Sequence, residues 1–154
     1  MSLLFTPYSF QTPNGPVELP NRIVIAPMCQ YSAVNGCATD WHLAHWANML
    51  NSGAGMFIIE ATAVSPEGRI TPNCLGLWDD ATAAALDEHL ARASMIAPPM
   101  PVCIQLSHAG RKASSARPWD GGMLIPADRG GWTPLGPSAL SHLPQEPAPR
   151  ELTP

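Results

Sequence analysis

Charge is scarce in this sequence. Asp, Glu, Lys and Arg make up 13% of its 154 residues, about half the usual quarter, and the net charge is −4. Such a composition excludes a disordered acidic or basic tail. The negative balance excludes a nucleic-acid binder that works by electrostatics. No apolar run approaches the roughly 18–20 residues of a membrane span. The start, Met1-Ser2-Leu3-Leu4-Phe5, shows no basic segment ahead of a long apolar stretch, so no secretory leader is visible. Four cysteines, Cys29, Cys37, Cys74 and Cys103, form no CxxC pair. Reduced thiols in a cytoplasmic protein are expected. Also missing are a G-x-G-x-x-G turn, the Walker glycines and a nucleophile elbow.

What is present is a 45% hydrophobic chain with 18 prolines, more than twice the usual share of about 5%. The prolines gather in the last third, from Pro118 to Pro154, which predicts a long loop, functional or disordered. Ahead of it, apolar runs and breakers alternate. Pro13-Asn14-Gly15 sits between short apolar pieces of 4–19 and predicts a hairpin. Arg22 to Ala26 is short and β-branched, and reads as a buried strand. Thr39 is a candidate N-cap for a helix from Asp40 to about Asn51, with Leu43, Ala47 and Leu50 on one face and Gly53 as stop. Met56 to Ala61 reads as a second strand. Asp79 or Asp80 caps a second helix, with Leu86, Leu90, Ala93 and Ala97 on its inner face, ended by Pro98 and Pro99. Val102 to Leu106 is the third strand.

The order β-α-β-α-β predicts a parallel sheet with right-handed crossovers, and the uniformly apolar strands predict that both its faces are covered. The choice lies between a doubly wound sheet and a (β/α)8 barrel, and the strand spacing suits a barrel pitch of about 31 residues plus an insertion. Three strands cannot close a barrel, so open apolar edges are expected.

In a barrel, reactive groups stand at the carboxyl ends of the strands. Those ends carry Pro27, Met28, Cys29 and Tyr31; then Glu60, Ala61 and Thr62; then Gln105, Ser107, His108, Arg111 and Lys112. On residue type alone Cys29 and Tyr31 are as ordinary as packed side chains. Gln105 inside a strand needs partners for its amide, and Glu60 must be paired or face a cavity. His42 and His45, three apart, have no matched third ligand, so no metal site is expected. The five tryptophans read as packing, with Trp119 and Trp132 as a potential wall for an aromatic ligand.

Asn21-Arg22-Ile23-Val24-Ile25-Ala26-Pro27-Met28-Cys29-Gln30-Tyr31-Ser32 resembles the first barrel strand of the Old Yellow Enzyme family of flavin-dependent ene-reductases. Glu60-Ala61-Thr62-Ala63-Val64-Ser65-Pro66-Glu67-Gly68-Arg69-Ile70-Thr71 resembles its second strand and loop. Ile104-Gln105-Leu106-Ser107-His108-Ala109-Gly110-Arg111-Lys112 resembles its third. The Cys and Tyr after Pro-Met, with the tail from His142 to Thr153, point to the bacterial thermophilic-like subgroup near xenobiotic reductase A.

The resemblance implies an α/β fold: the N-terminal portion of a (β/α)8 barrel, with residues 1–154 one part of a single FMN-binding domain. It implies FMN at the carboxyl ends of the strands, NADPH or NADH as reductant, and hydride delivery to an alkene activated by a carbonyl or nitro group. By that likeness Ala26, Pro27, Met28, Cys29, Ala61 and Gln105 bind the flavin and Tyr31 reaches the substrate. Ala26 stands where many members carry a hydroxyl residue. The family's carbonyl-binding His pair, proton-donating Tyr and phosphate loops lie on later strands, so no catalytic residue is expected in this chain. A second polypeptide carrying the rest of the barrel is the expected partner. The alternative is a non-catalytic barrel fragment that self-associates through its sheet edges. Thr153-Pro154 reads as the start of a third helix.

Overall fold

The computed structural model describes residues 2–153. The Thr153-Pro154 helix start falls partly outside that range, and Thr153 itself lies in no regular element. The Pro13-Asn14-Gly15 turn closes the expected hairpin: β1, Tyr8–Thr12, pairs antiparallel with β2, Gly15–Leu19. Gly15 takes φ +112°, a conformation that only glycine enters freely.

β3, Val24–Ile25, is followed by α1, Asp40–Leu50, β4, Met56–Ala63, α2, Asp80–Ser94, and β5, Val102–Ser107. The three strands form one parallel sheet in the order β3-β4-β5. β3 is much shorter than Arg22 to Ala26. It has one strand neighbour, Asn21 Oδ1 takes the Ile23 N–H at 3.0 Å, and Pro27 has no N–H to offer. β4 in turn runs two residues past Ala61, because Thr62 and Ala63 continue the ladder with Leu106 and Ser107.

One face of the sheet packs under the helices. Phe57 and Ile59 of β4 meet Trp46, Ala47 and Leu50 of α1, Ala93 of α2 and Leu75 of the intervening loop, all buried. Leu43, Leu86, Leu90 and Ala97 join this core as half-buried neighbours. The other face is open among the described residues: Val24 is 42% exposed, and Cys103 and Gln105 are exposed on β5. The expectation that both faces are covered therefore fails for this chain. Uniformly apolar strands report that a face is meant for burial, not what buries it. No helix among the described residues is long and apolar enough to cross a membrane.

Both helices start where the caps predict. Thr39 precedes α1, its N–H donating to His42 Nδ1 at 3.0 Å and its hydroxyl to the Ser32 carbonyl at 3.1 Å. Asp79 precedes α2 and accepts the Thr82 N–H at 2.8 Å. Those donors, led by the Thr82 N–H, hold the Asp79 carboxyl below the usual range. A carboxyl depressed in the folded state stabilises above its unfolded pKa of about 3.9 and loses that contribution as pH falls through the lower folded value. Urea midpoints measured from neutral pH down into that acid range are expected to fall more steeply in the natural protein than in Asp79→Ala. Parallel curves would remove the cap from the acid response.

The proline-rich third is more structured than a plain loop. It carries 3-10 turns at Gly110–Lys112, Pro118–Asp120 and Ala127–Arg129, and a parallel pair of β6, Leu135–Gly136, with β7, Arg150–Glu151. Ser114 Oγ accepts from Trp132 N–H and donates to the Ile125 carbonyl, both at 2.8 Å. The Arg69 guanidinium lies 4.9 Å from the Trp132 ring and 5.4 Å from that of Trp78, which ties this third to the loop after β4.

Candidate functional site

The carboxyl ends of β3, β4 and β5 place the expected residues side by side on the open face. Parallel pairing sets Ile58 beside Cys103 and Ala61 beside Gln105. Along β3 and the segment after it, Arg22, Val24, Ala26 and Met28 alternate onto the exposed side, while Ile23, Ile25, Pro27 and Cys29 are half-buried. Ala26, Ala61 and Gln105 thus form a shallow shelf with two methyl groups and one amide. Met28, 59% exposed, stands at its edge.

Strand alternation alone would aim Glu60, not Ala61, at this shelf, because Ile59 already faces the helices. A register shift between Ile59 and Ala61 inserts Glu60 as a bulge. The bulge swings the carboxylate to the buried side and brings the methyl of Ala61 onto the open face. Glu60 is 3% exposed; its Oε2 accepts the Gln30 N–H and its Oε1 lies 3.2 Å from Nε2 of the fully buried His42. Glu60 is therefore paired rather than facing a cavity, the first of the two options its sequence context left.

Gln105 corrects the reading of a buried amide. Its side chain is exposed and makes no hydrogen bond to the described residues. Solvent, or a ligand laid on the shelf, can meet its amide. Cys29 is half-buried beside Ala61 and Cys74. Cys74 is buried, and its sulfur is 3.3 Å from both the N–H and the hydroxyl of Thr71. Donors from Cys29 and Thr71 stabilise a Cys74 thiolate and lower its pKa to about 7. The same Cys74 contact, followed by burial, pushes the Cys29 thiol far up. Cys74→Ala removes the largest cause of the Cys29 shift, so alkylation of Cys29 by iodoacetamide at neutral pH is expected to quicken. An unchanged rate would uncouple the two sulfurs.

Sequence reasoning passed over Cys74. It lies in the loop following β4, at the same end of the sheet as the other candidates, so the carboxyl-end rule could have reached it.

Tyr31 has φ +51°, left-handed backbone that is uncommon for a bulky residue. Its ring meets Trp119 edge-on at 5.4 Å, and burial leads the causes that raise its hydroxyl pKa. Tyr31, Thr71, Lys112, Ser115 and Pro118 line a recess of about 230 Å3. Trp119 packs on Tyr31 but does not line this recess, so neither loop tryptophan forms its wall: Trp132 stacks on Arg69 and donates to the Glu67 carbonyl at 2.9 Å. A larger cavity, about 430 Å3, lies between the hairpin and the amino ends of the strands, lined by Tyr8, Phe10, Leu19, Arg22, Val24 and Met56 and by none of the candidate residues. His42 turns to Glu60 and His45 meets Phe57 edge-on, so the two histidines serve different neighbours.

Comparison with known proteins agrees with this geometry. The chain matches the NADH:flavin oxidoreductase / NADH oxidase family over residues 3–133. It is 43% identical over 144 residues to an NADH:flavin oxidoreductase of Gibberella zeae, an alignment covering 90% of this chain and 33% of that protein. It is 39% identical over 162 aligned positions to an NADPH dehydrogenase of Listeria welshimeri, covering 99% of this chain and 40% of the other. Among solved structures, morphinone reductase superposes with a TM-score of 0.72 at 24% identity, over 97% of this chain and 39% of that one. The Old Yellow Enzyme homologue of Zymomonas mobilis does so with 0.68 at 26% identity, over 99% and 40%. The chain spans between a third and two fifths of the length of these relatives. Its α/β architecture is the N-terminal part of their (β/α)8 barrel, and FMN is the family's flavin. Sequence, sheet order and the shelf at the carboxyl ends converge, and the chain belongs to the NADH:flavin oxidoreductase / NADH oxidase family, the Old Yellow Enzyme group.

Proposed function

We propose that this chain supplies the flavin-binding face of an FMN-dependent ene-reductase that uses NADPH or NADH to reduce alkenes activated by a carbonyl or nitro group. One observation carries the reading: Ala26, Ala61 and Gln105 come together on one open face at the carboxyl ends of three parallel strands. The fit to FMN is chemical. Two methyl groups let a flat ring approach the backbone, and a neutral amide with no internal partner matches the donor-acceptor edge of the pyrimidine. Bound there, FMN supplies hydride transfer between the nicotinamide and the alkene. The chain's own residues orient and shield it. Pro27 and Met28 border the ring, Cys29 stands as a thiol beside Ala61, and Tyr31 faces the recess where a substrate would lie. No catalytic role falls to these residues. Proton donation and the charge balance of the reduced ring belong to later strands of the barrel.

Residues 1–154 act as part of a single FMN-binding barrel domain. The sheet's open apolar face supports a partner, a second polypeptide carrying the other strands. The free thiols suit a reducing cytoplasm. The test is FMN titration of the purified native protein, followed by NADPH oxidation with an activated alkene and intact mass. Stoichiometric yellow protein with alkene-dependent turnover and two masses is expected. One longer mass would refute the two-chain arrangement alone. A colourless homo-oligomer would refute the flavin reading and favour a self-associating fragment.

A further inference from the structure

The recess of about 230 Å3 is built only from segments that leave the carboxyl ends of the three strands. Tyr31 follows β3, Thr71 follows β4, and Lys112, Ser115 and Pro118 follow β5. Whole small-molecule sites run to roughly 300–1,000 Å3, so this recess has room for a substituent rather than a complete substrate. Its walls are fixed by their own backbone. Ser115 N–H donates to the Ile70 carbonyl and Ser115 Oγ to the Lys112 carbonyl, both at 2.8 Å. Lys112 ends the Gly110–Lys112 turn with its N–H on the Ala109 carbonyl at 3.2 Å, and Ala113 next to it is fully buried. Tyr31 sits in left-handed backbone with its ring against Trp119. A recess held in this way is formed before anything binds, which spares a ligand the cost of ordering it.

The chemistry of the lining is one-sided. Ser115 spends its hydrogen on the Lys112 carbonyl, and Thr71 Oγ1 is engaged by the Asn73 N–H at 3.1 Å and by the Cys74 sulfur at 3.3 Å. Among the described residues, the Lys112 ammonium and the Tyr31 hydroxyl make no hydrogen bond, and Lys112 joins no ion pair. No Asp or Glu side chain among them lines the recess. Asp120, which follows close after Pro118, is tied to Arg117 Nε at 2.7 Å. The recess therefore holds one cation without a counter-charge and two side-chain donors without an acceptor. An oxyanion satisfies all of these at once, and a neutral group does not.

We propose that this recess is a specificity subsite in which the Lys112 ammonium and the Tyr31 hydroxyl hold a carboxylate carried by the alkene substrate, with Lys112 setting the preference for an acid. The inference rests on the flavin reading above and adds a substrate class to it: activated alkenes that also bear an acid group. Lysine meets a carboxylate as a compact charge, and a hydrogen bond between ionised partners is roughly twice as strong as one between neutral partners. A phosphate of the nicotinamide nucleotide offers the same chemistry. The small volume of the recess favours the short acid group of the alkene, and the test separates the two sources.

The experiment compares acetylacrylate with its methyl ester as substrates of the FMN-loaded native protein and of its K112M and K112R variants, with circular dichroism to confirm folding. The natural protein is expected to favour the acid. K112M is expected to cut the acid-to-ester ratio of kcat/KM about tenfold, and K112R to restore part of it. Added salt is expected to lower the ratio in the natural protein and not in K112M. A ratio in K112M equal to the natural one would overturn the proposal. If the KM for NADPH rises in K112M while the ratio holds, the recess belongs to a nucleotide phosphate and the substrate assignment falls. A second readout needs neither turnover nor flavin: equilibrium dialysis of levulinate and methyl levulinate against FMN-free protein. Salt-sensitive binding of levulinate alone, lost in K112M, supports the subsite; equal retention of acid and ester, none included, overturns it. Natural protein that binds no FMN would sink the flavin reading, while dialysis would still test the recess.

Discussion

Gln105→Leu is expected to weaken FMN binding by about 1–3 kcal/mol, roughly 5- to 150-fold, with little change in thermal stability. The two halves of that expectation come from the same fact. Gln105 is exposed on the open face of β5 and bonds to no described residue, so its loss removes nothing from the chain's own packing. A ligand edge that relied on its amide would instead lose a hydrogen-bond partner inside a site closed to water. Leucine nearly matches glutamine in size, so the change tests the amide rather than the shape. Quenching of FMN fluorescence in a titration gives the affinity, and a thermal melt gives the control. Affinity equal to that of the natural protein would move the pyrimidine edge away from Gln105.

The largest stability effect is expected at Trp46. Its side chain is fully buried where α1 crosses the sheet, in one cluster with Phe57, Ile59, Leu75 and Ala93. Trp46→Ala is expected to cost about 3–5 kcal/mol, from lost apolar burial and the cavity left in a close-packed core. Marginal domains hold about 5–15 kcal/mol in total, so much of the chain's stability is at stake. The loss also reaches the candidate site, because the Trp46 ring lies 5.5 Å from that of His42. Urea unfolding would show a lower midpoint with the same slope. A midpoint within experimental error of the natural protein would mean that this core has closed around the gap.

Particular residues show how far the sequence could be read. Thr39 and Asp79 mark both helix starts, because a cap is a local exchange between a side chain and the first free N–H groups. Asn14-Gly15 marks the hairpin for the same kind of reason. The motif residues at the strand ends were legible through pattern, and the sheet does bring Ala26, Ala61 and Gln105 to one face. Three features were not legible. β3 is shorter than its apolar run, since a strand's length depends on its neighbours. Gln105 is exposed, since burial of a sheet face depends on what lies over it. The Cys29–Cys74 contact joins residues 45 positions apart in a loop whose path no local preference dictates.

The sequence by itself determined the hairpin, the two helices and the order of the parallel sheet, because caps, turns and apolar period act over a few residues. Only the tertiary structure decided the bulge at Glu60, and with it which side chain meets the shelf and which is buried against His42. The physical reason is that one inserted residue reverses the facing of its strand, and the insertion is set by pairing with β5 across the sheet, beyond the reach of any local signal.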